Sequence, residues 1–98
     1  IFGPVVVAQA FDDAQLDKLA AEANNTEYGL AASVWTQNAS VAHKMAKRIK
    51  AGTIWLNCHH AFDPVLPFGG YKQSGWGREN GAQALENYLE TKAVTMAL

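Results

Sequence analysis

Short apolar segments alternate with helical stripes along this 98-residue chain, and the alternation limits the folds that it can adopt. Residues 5–11, 31–36 and 53–57 are apolar runs of the kind that form buried strands. The intervening segments carry apolar residues at helical spacing, namely Leu16, Leu19, Ala20 and Ala23, then Ala42, Met45, Ala46 and Ile49. Strands separated by helices pair in parallel through right-handed crossovers. The sequence therefore predicts an α/β fold, with a parallel sheet built from strand-helix-strand-helix-strand units.

Polar residues and a glycine mark the ends of the two predicted helices. Asp12 or Asp13 can cap the first helix, and either Asn38 or Ser40 can cap the second. Gly52 lies just past the end of the second helix, which is a common position for a C-terminal glycine. These signals support the predicted helix boundaries.

The last quarter of the chain predicts one more helix and one more strand. The helix begins at Arg78 or Glu79 and runs to about Tyr88. Residues 91–98 then partly alternate, which places Val94, Met96 and Leu98 on one face. A terminal strand with one apolar face needs a sheet to join.

Composition excludes several classes of function. The net charge is −1 with both signs mixed, so the clustered cations that bind nucleic acid are not expected. No apolar run approaches the roughly 20 residues that span a bilayer, and no signal peptide is visible. A single cysteine rules out an internal disulfide framework and suits a reducing compartment. We expect a soluble cytoplasmic protein.

Hydrophobic residues make up 49% of the chain, and Trp35 and Trp55 are expected in the core. This apolar excess suggests surface that contacts another part of a protein.

The long segment 58–77 is the most promising place for a functional site. It holds two prolines and four glycines and follows the third predicted strand. Ligands bind beyond the carboxyl ends of strands in an open parallel sheet. If residues 58–62 are extended, Cys58, His60 and Phe62 point one way and His59 the other.

Cys58 and its neighbouring histidines are weak candidates for chemistry. Adjacent residues on an extended segment cannot easily chelate one ion, so no metal site is predicted. A catalytic thiol needs a cation, a helix N-terminus or a metal to lower its pKa, and the sequence places neither His59 nor His60 reliably against the sulfur. A buried, inert Cys58 is the preferred interpretation.

Three motifs in order resemble one enzyme family. Residues 67–79 read PFGGYKQSGWGRE, residues 1–4 read IFGP, and residues 52–58 read GTIWLNC. Together they are similar to the C-terminal region of the NAD(P)-dependent aldehyde dehydrogenases. The resemblance covers essentially the whole chain and corresponds to the last fifth or so of such an enzyme, without its catalytic thiol.

The resemblance implies a covalent mechanism in which a thiolate attacks an aldehyde, a hydride passes to NAD or NADP, and a Glu-activated water releases the carboxylic acid. Neither the nucleophile nor that Glu maps onto this chain. Phe2 matches the cofactor-binding Phe beside the nicotinamide, and Glu79 matches a Glu in the proton-relay path. The expected lining of the substrate pocket consists of Cys58, His60, Phe62 and Phe68.

The resemblance also implies a division of the chain and a set of partners. Residues 1–88 match the end of the catalytic domain, and residues 89–98 match the oligomerisation strand. The expected partners are the rest of the enzyme chain, an aldehyde and further subunits of a homo-oligomer. The stretch around Phe68 looks most like enzymes that oxidise aromatic aldehydes such as phenylacetaldehyde, although betaine-aldehyde-type enzymes share much of it. The choice of NAD or NADP and of dimer or tetramer stays open.

Two other functions are consistent with the residues alone. The chain could be a non-catalytic module that self-associates through residues 91–98. A free-standing hydrolase using Cys58 and a histidine is the third reading. The dehydrogenase fragment, predicted to be inactive by itself, is the first.

Overall fold

The computed structural model describes residues 3–98, and Phe2 lies outside this range. A short 3-10 turn at Asp13–Gln15 leads directly into the first α-helix. The elements that follow are α1 (Leu16–Ala23), β1 (Tyr28–Gly29), β2 (Ala31–Val34), α2 (Ala39–Arg48), β3 (Thr53–Leu56), β4 (Tyr71–Lys72) and a 3-10 helix at Ala82–Tyr88.

Among the described residues, one helix connects two parallel strands, as in one unit of the predicted pattern. Strands β2 and β3 pair in parallel in the register Ala31–Thr53 to Val34–Leu56, and α2 connects them. The predicted stripe of α2 provides Ala42 and Met45 to a small core, which also includes Ala20 of α1. Apolar burial on these helix faces is what holds the crossover together.

The two helices are joined at their C-terminal ends by one side chain. The Asn24 amide donates to the Arg48 carbonyl at 2.9 Å, and its Oδ1 accepts from the Lys50 N–H at 2.7 Å. Lys72 also donates to the carbonyls of Asn24 and Thr26, near the C-terminus of α1. The Arg48 and Asn24 carbonyls lie at helix ends, which leave such groups without an internal partner, and these contacts satisfy them.

Segment 58–77 contains a strand that the sequence did not predict. Tyr71 and Lys72 form β4, which pairs antiparallel with Gly29 and Tyr28 of β1. Strands of two residues carry no readable alternation, so a sequence pattern cannot reveal them. This small sheet attaches the glycine-rich loop to the chain just before β2.

Two of the predicted strands do not form among the described residues. Residues 5–11 have no strand pairing, and the Val6 side chain is 92% exposed; residues 91–98 are likewise unpaired and exposed. A strand exists only through hydrogen bonds to a neighbour, and residues 3–98 supply none for either segment. Residues 5–11 and 91–98 have the apolar patterns of strands, but residues 3–98 contain no sheet edge paired with either segment.

The last predicted helix begins later than expected and has a different form. Asn80 and Gly81 have φ values of 59° and 60°, the left-handed region that interrupts a right-handed helix. Glu79 instead forms an antiparallel bridge with Phe68. The helical segment therefore starts at Ala82 and is a 3-10 helix.

Candidate functional site

Trp55 anchors a cluster of aromatic rings at the end of the parallel pair. Its side chain is 7% exposed, which confirms the core position predicted for it, whereas Trp35, which directly follows β2, is 67% exposed and is not in the core. The Trp55 Nε1–H donates to the Ala61 carbonyl at 2.9 Å. A buried indole N–H needs such an acceptor, and this one folds segment 58–62 back over the strand.

Three of the four predicted pocket residues are linked through these rings. The Trp55 ring meets those of His60 and Phe62 at centroid distances of 5.6 and 5.4 Å, both edge-to-face. The Phe62 ring in turn meets the Phe68 ring at 5.2 Å and 79°. Each such pair contributes about 0.5–1.5 kcal/mol beyond the area that it buries. We call Trp55, His60, Phe62 and Phe68 the aromatic wall.

The aromatic wall keeps one exposed side. Phe62 is 56% exposed and Phe68 is half-buried, so neither ring is sealed inside the described part of the chain. An uncovered apolar ring surface of this kind can contact either a ligand or another segment of protein. The aromatic wall therefore presents an uncovered apolar surface.

Segment 58–62 is not extended, which corrects the expected alternation of its side chains. His60 has a φ of 54°, and the turn that this produces stacks the rings of His59 and His60 at 4.0 Å. The His59 Nδ1 is also hydrogen-bonded to the Ser33 Oγ of β2 at 2.7 Å. His59 and His60 therefore both contact Trp55, although they were predicted to point to opposite sides.

Cys58 follows the turn residue Asn57, is half-buried and forms no disulfide within the described residues. Within residues 3–98, no group of three His, Cys, Asp or Glu side chains is placed to hold a metal ion. His59, next to Cys58 in sequence, is engaged with Ser33. The contact with Ser33 could not be predicted, since a serine in an apolar strand gives no signal of its partner.

Backbone pairing brings the predicted relay residue Glu79 beside the aromatic wall. The Phe68 N–H donates to the Glu79 carbonyl and the Glu79 N–H to the Phe68 carbonyl, both at 2.7 Å. Arg78 supports this arrangement by donating to the carbonyls of Gly70 and Gly77 at 3.0 and 2.6 Å. Arg78 thus holds the loop through carbonyl oxygens.

A large apolar groove lies elsewhere in the molecule. It has a volume of about 970 Å³ and is bounded by α1, α2 and strand β2. Cys58, His60, Phe62 and Phe68 are not among its lining residues. Among the described residues, β2 is paired on one edge, with β3, so the groove is where further chain would extend the sheet. We interpret it as uncovered packing surface and not as a ligand site.

No helix in the described range is long and apolar enough to cross a membrane.

A parallel α/β crossover with aromatic rings beyond its strand ends is a piece of an α/β protein, and comparison with known proteins supplies the family. The model of the aldehyde dehydrogenase family matches residues 1–94. The chain belongs to the aldehyde dehydrogenase family.

Individual relatives agree with this assignment. The phenylacetaldehyde dehydrogenase of Pseudomonas fluorescens is 47% identical over 99% of the chain, and the betaine aldehyde dehydrogenase of Vibrio vulnificus is 49% identical over all of it. A solved structure of the NAD+ complex of an aldehyde dehydrogenase from Bacillus cereus superposes on 95% of the chain with a TM-score of 0.86 and 53% identity. The chain spans 18–20% of the length of these proteins, so it corresponds to a fragment of such an enzyme.

Proposed function

We propose that this segment supplies one wall of the aldehyde pocket, one edge of the cofactor site and part of the subunit interface of an NAD(P)-dependent aldehyde dehydrogenase. The observation that carries the proposal is the aromatic wall, which combines an anchored Trp55 with the partly exposed ring of Phe62. Family membership supports oxidation of an aldehyde to an acid as the reaction. The wall orients the apolar part of the substrate, and the segment alone is inactive.

An aromatic aldehyde fits the aromatic wall best. The rings of Phe62 and Phe68 meet edge-to-face, and a third ring could join them in the same geometry. A phenylacetaldehyde dehydrogenase is among the relatives, but a betaine aldehyde dehydrogenase of similar identity is as well. A quaternary ammonium also binds to aromatic faces, so the two substrates must be compared directly.

The catalytic roles are divided between this segment and the rest of the enzyme according to the residues that the segment contains. The nucleophilic thiol and the Glu that activates water are assigned to polypeptide outside this segment, and Cys58 serves in packing. Bound NAD(P) supplies the hydride acceptor, and Phe2 is assigned to the nicotinamide side. Glu79 is assigned to proton relay, since its backbone is paired with Phe68 at the margin of the wall.

The experiment compares the complete protein that contains this segment with its Phe62→Ala variant. Loss of the ring is expected to raise KM for phenylacetaldehyde roughly tenfold, the equivalent of about 1.4 kcal/mol, and to leave KM for acetaldehyde nearly unchanged. Phe11→Ala is the matched control, because Phe11 lines the large groove and not the wall. NADH formation measures both constants.

Three outcomes would contradict the proposal. The first is a wild-type protein that oxidises no aldehyde. The second is an equal rise in KM for both aldehydes in Phe62→Ala, or a stronger effect on betaine aldehyde than on phenylacetaldehyde. The third is sustained NADH formation by the isolated 98-residue segment.

A further inference from the structure

The end of β3 is tied to β2 by a side chain that imitates a peptide group. The Asn57 Oδ1 accepts from the Thr36 N–H at 2.8 Å, and its Nδ2 donates to the Thr36 carbonyl at 2.9 Å. A carboxamide carries the same donor and acceptor pair as the backbone. The Asn57 N–H also donates to the Val34 carbonyl at 2.9 Å. Asn57 thereby extends the parallel pairing beyond the last residues of the two strands.

Asn57 also turns the chain out of the sheet. Its φ of 54° lies in the left-handed region, which Asn tolerates better than most residues. After a second left-handed residue at His60, the chain returns to place the Ala61 carbonyl over the Trp55 Nε1. The path of segment 58–62 therefore depends on the direction that Asn57 imposes at its start.

We infer that Asn57 is a positioning residue for aldehyde binding, which it serves by holding His60 and Phe62 in place in the aromatic wall. This inference rests on the proposed function, because it takes the wall to be the surface that contacts the aldehyde. Asn57 acts through the loop that it starts. Its two side-chain hydrogen bonds fix the start of segment 58–62, and the ring contacts with Trp55 hold the rest of the segment.

The test measures kinetics of the complete protein after Asn57→Gly and Asn57→Asp. Glycine keeps the left-handed backbone and removes both side-chain bonds, so KM for the aldehyde should rise about tenfold, as expected from losing two hydrogen bonds. The values of kcat and of KM for NAD+ should stay within about twofold, since the loop contacts neither the thiol nor the cofactor in this scheme. Asn57→Asp keeps the acceptor for the Thr36 N–H and should recover part of the loss.

Asn24→Ala provides a matched control. Asn24 makes the same kind of two-point contact to backbone groups, but it does so between the ends of α1 and α2. Its loss should lower the melting temperature without raising KM for the aldehyde. Hydrogen exchange gives a second readout, because amides of residues 58–62 should exchange faster in Asn57→Gly and remain as protected as wild type in Asn24→Ala.

The inference and the proposed function fail in different ways. A wild-type protein without aldehyde oxidation overturns the proposed function. An active wild-type protein whose Asn57→Gly variant loses stability but keeps its KM and its exchange rates in segment 58–62 overturns the inference alone. If Asn57→Asp shows the same KM as Asn57→Gly, the assigned role of the Thr36 N–H bond is also wrong.

Discussion

Gly52 allows the loop backbone to approach the start of β3. A Cβ built on Gly52 would lie 1.6 Å from the Gly69 carbonyl oxygen. No rotation of a side chain can relieve such a clash, because both partners are backbone. The glycine that the sequence marks as a helix end therefore also permits the contact between the strand and the loop that carries Phe68.

Replacement of Gly52 by Ala should destabilise the complete protein by about 3 kcal/mol, at the upper end of the usual cost of overpacking, because the loop must move away. Gly75→Ala is the control: its Cβ would meet nothing within 4 Å, and only its φ of 115° opposes the change. We expect a loss of about 1 kcal/mol there. Urea unfolding measures both values, and equal losses would show that the close approach at Gly52 does not matter.

At the scale of single residues, two left-handed residues, Asn57 and His60, account for the difference between the predicted and the observed path of segment 58–62. Asn57 carried a usable signal, since Asn is enriched in this conformation. Histidine is enriched in this conformation as well, but a histidine in a loop does not by itself predict a turn at its position. The expected alternation of residues 58–62 was wrong for that reason.

At the scale of the elements, the structure identifies the N-cap of α2, for which the sequence allowed two residues. Asn38 and Ser40 were both candidate caps, and the structure assigns the role to Asn38, whose Oδ1 accepts from the Val41 N–H at 3.2 Å. Ser40 is the second residue of the helix itself. At the other end, Lys47 and Arg48 lie in the last turn, where cations complement the helix dipole.

Asn38→Ala should therefore reduce the free energy of unfolding by about 1 kcal/mol, the usual contribution of an N-cap. Ser40→Ala should change it by less than about 0.5 kcal/mol, as expected for a surface helix position without a cap contact. Thermal unfolding of the complete protein followed by circular dichroism distinguishes them. A larger loss in Ser40→Ala would reverse the assignment of the cap.

At the scale of the whole molecule, the described structure exposes more surface than a closed domain of its size. The accessible area is 8435 Å², against about 5,500 Å² for a compact protein of the same mass. The radius of gyration is 18.0 Å, against about 13 Å. The large groove and the unpaired residues 5–11 are part of this excess, as the apolar composition suggested. Such surface is typical of a segment that is covered by other polypeptide.

The proposed interface at residues 91–98 can be tested with two neighbouring substitutions. Met96 belongs to the predicted apolar face and Thr95 to the opposite one. Met96→Asp should raise the dissociation constant of the oligomer of the complete protein about tenfold. Thr95→Asp should leave this dissociation constant unchanged. A buried carboxylate at an interface accounts for the difference. Sedimentation velocity measures the change, and an unaltered oligomer in Met96→Asp would remove this segment from the interface.

The sequence alone predicted the two helices, the β2–α2–β3 pattern, the family, and His60, Phe62 and Phe68 as pocket candidates, because apolar spacing and local motifs depend on neighbouring residues. Only the tertiary structure decided the path of segment 58–62, the short pair of β1 and β4, the bridge between Phe68 and Glu79, and the absence of strand pairing at residues 5–11 and 91–98 within the described range. Those features depend on contacts between residues far apart in the chain. A strand in particular needs a neighbouring strand to pair with, and a pattern of alternating side chains can predict a strand in a segment for which no such neighbour is present.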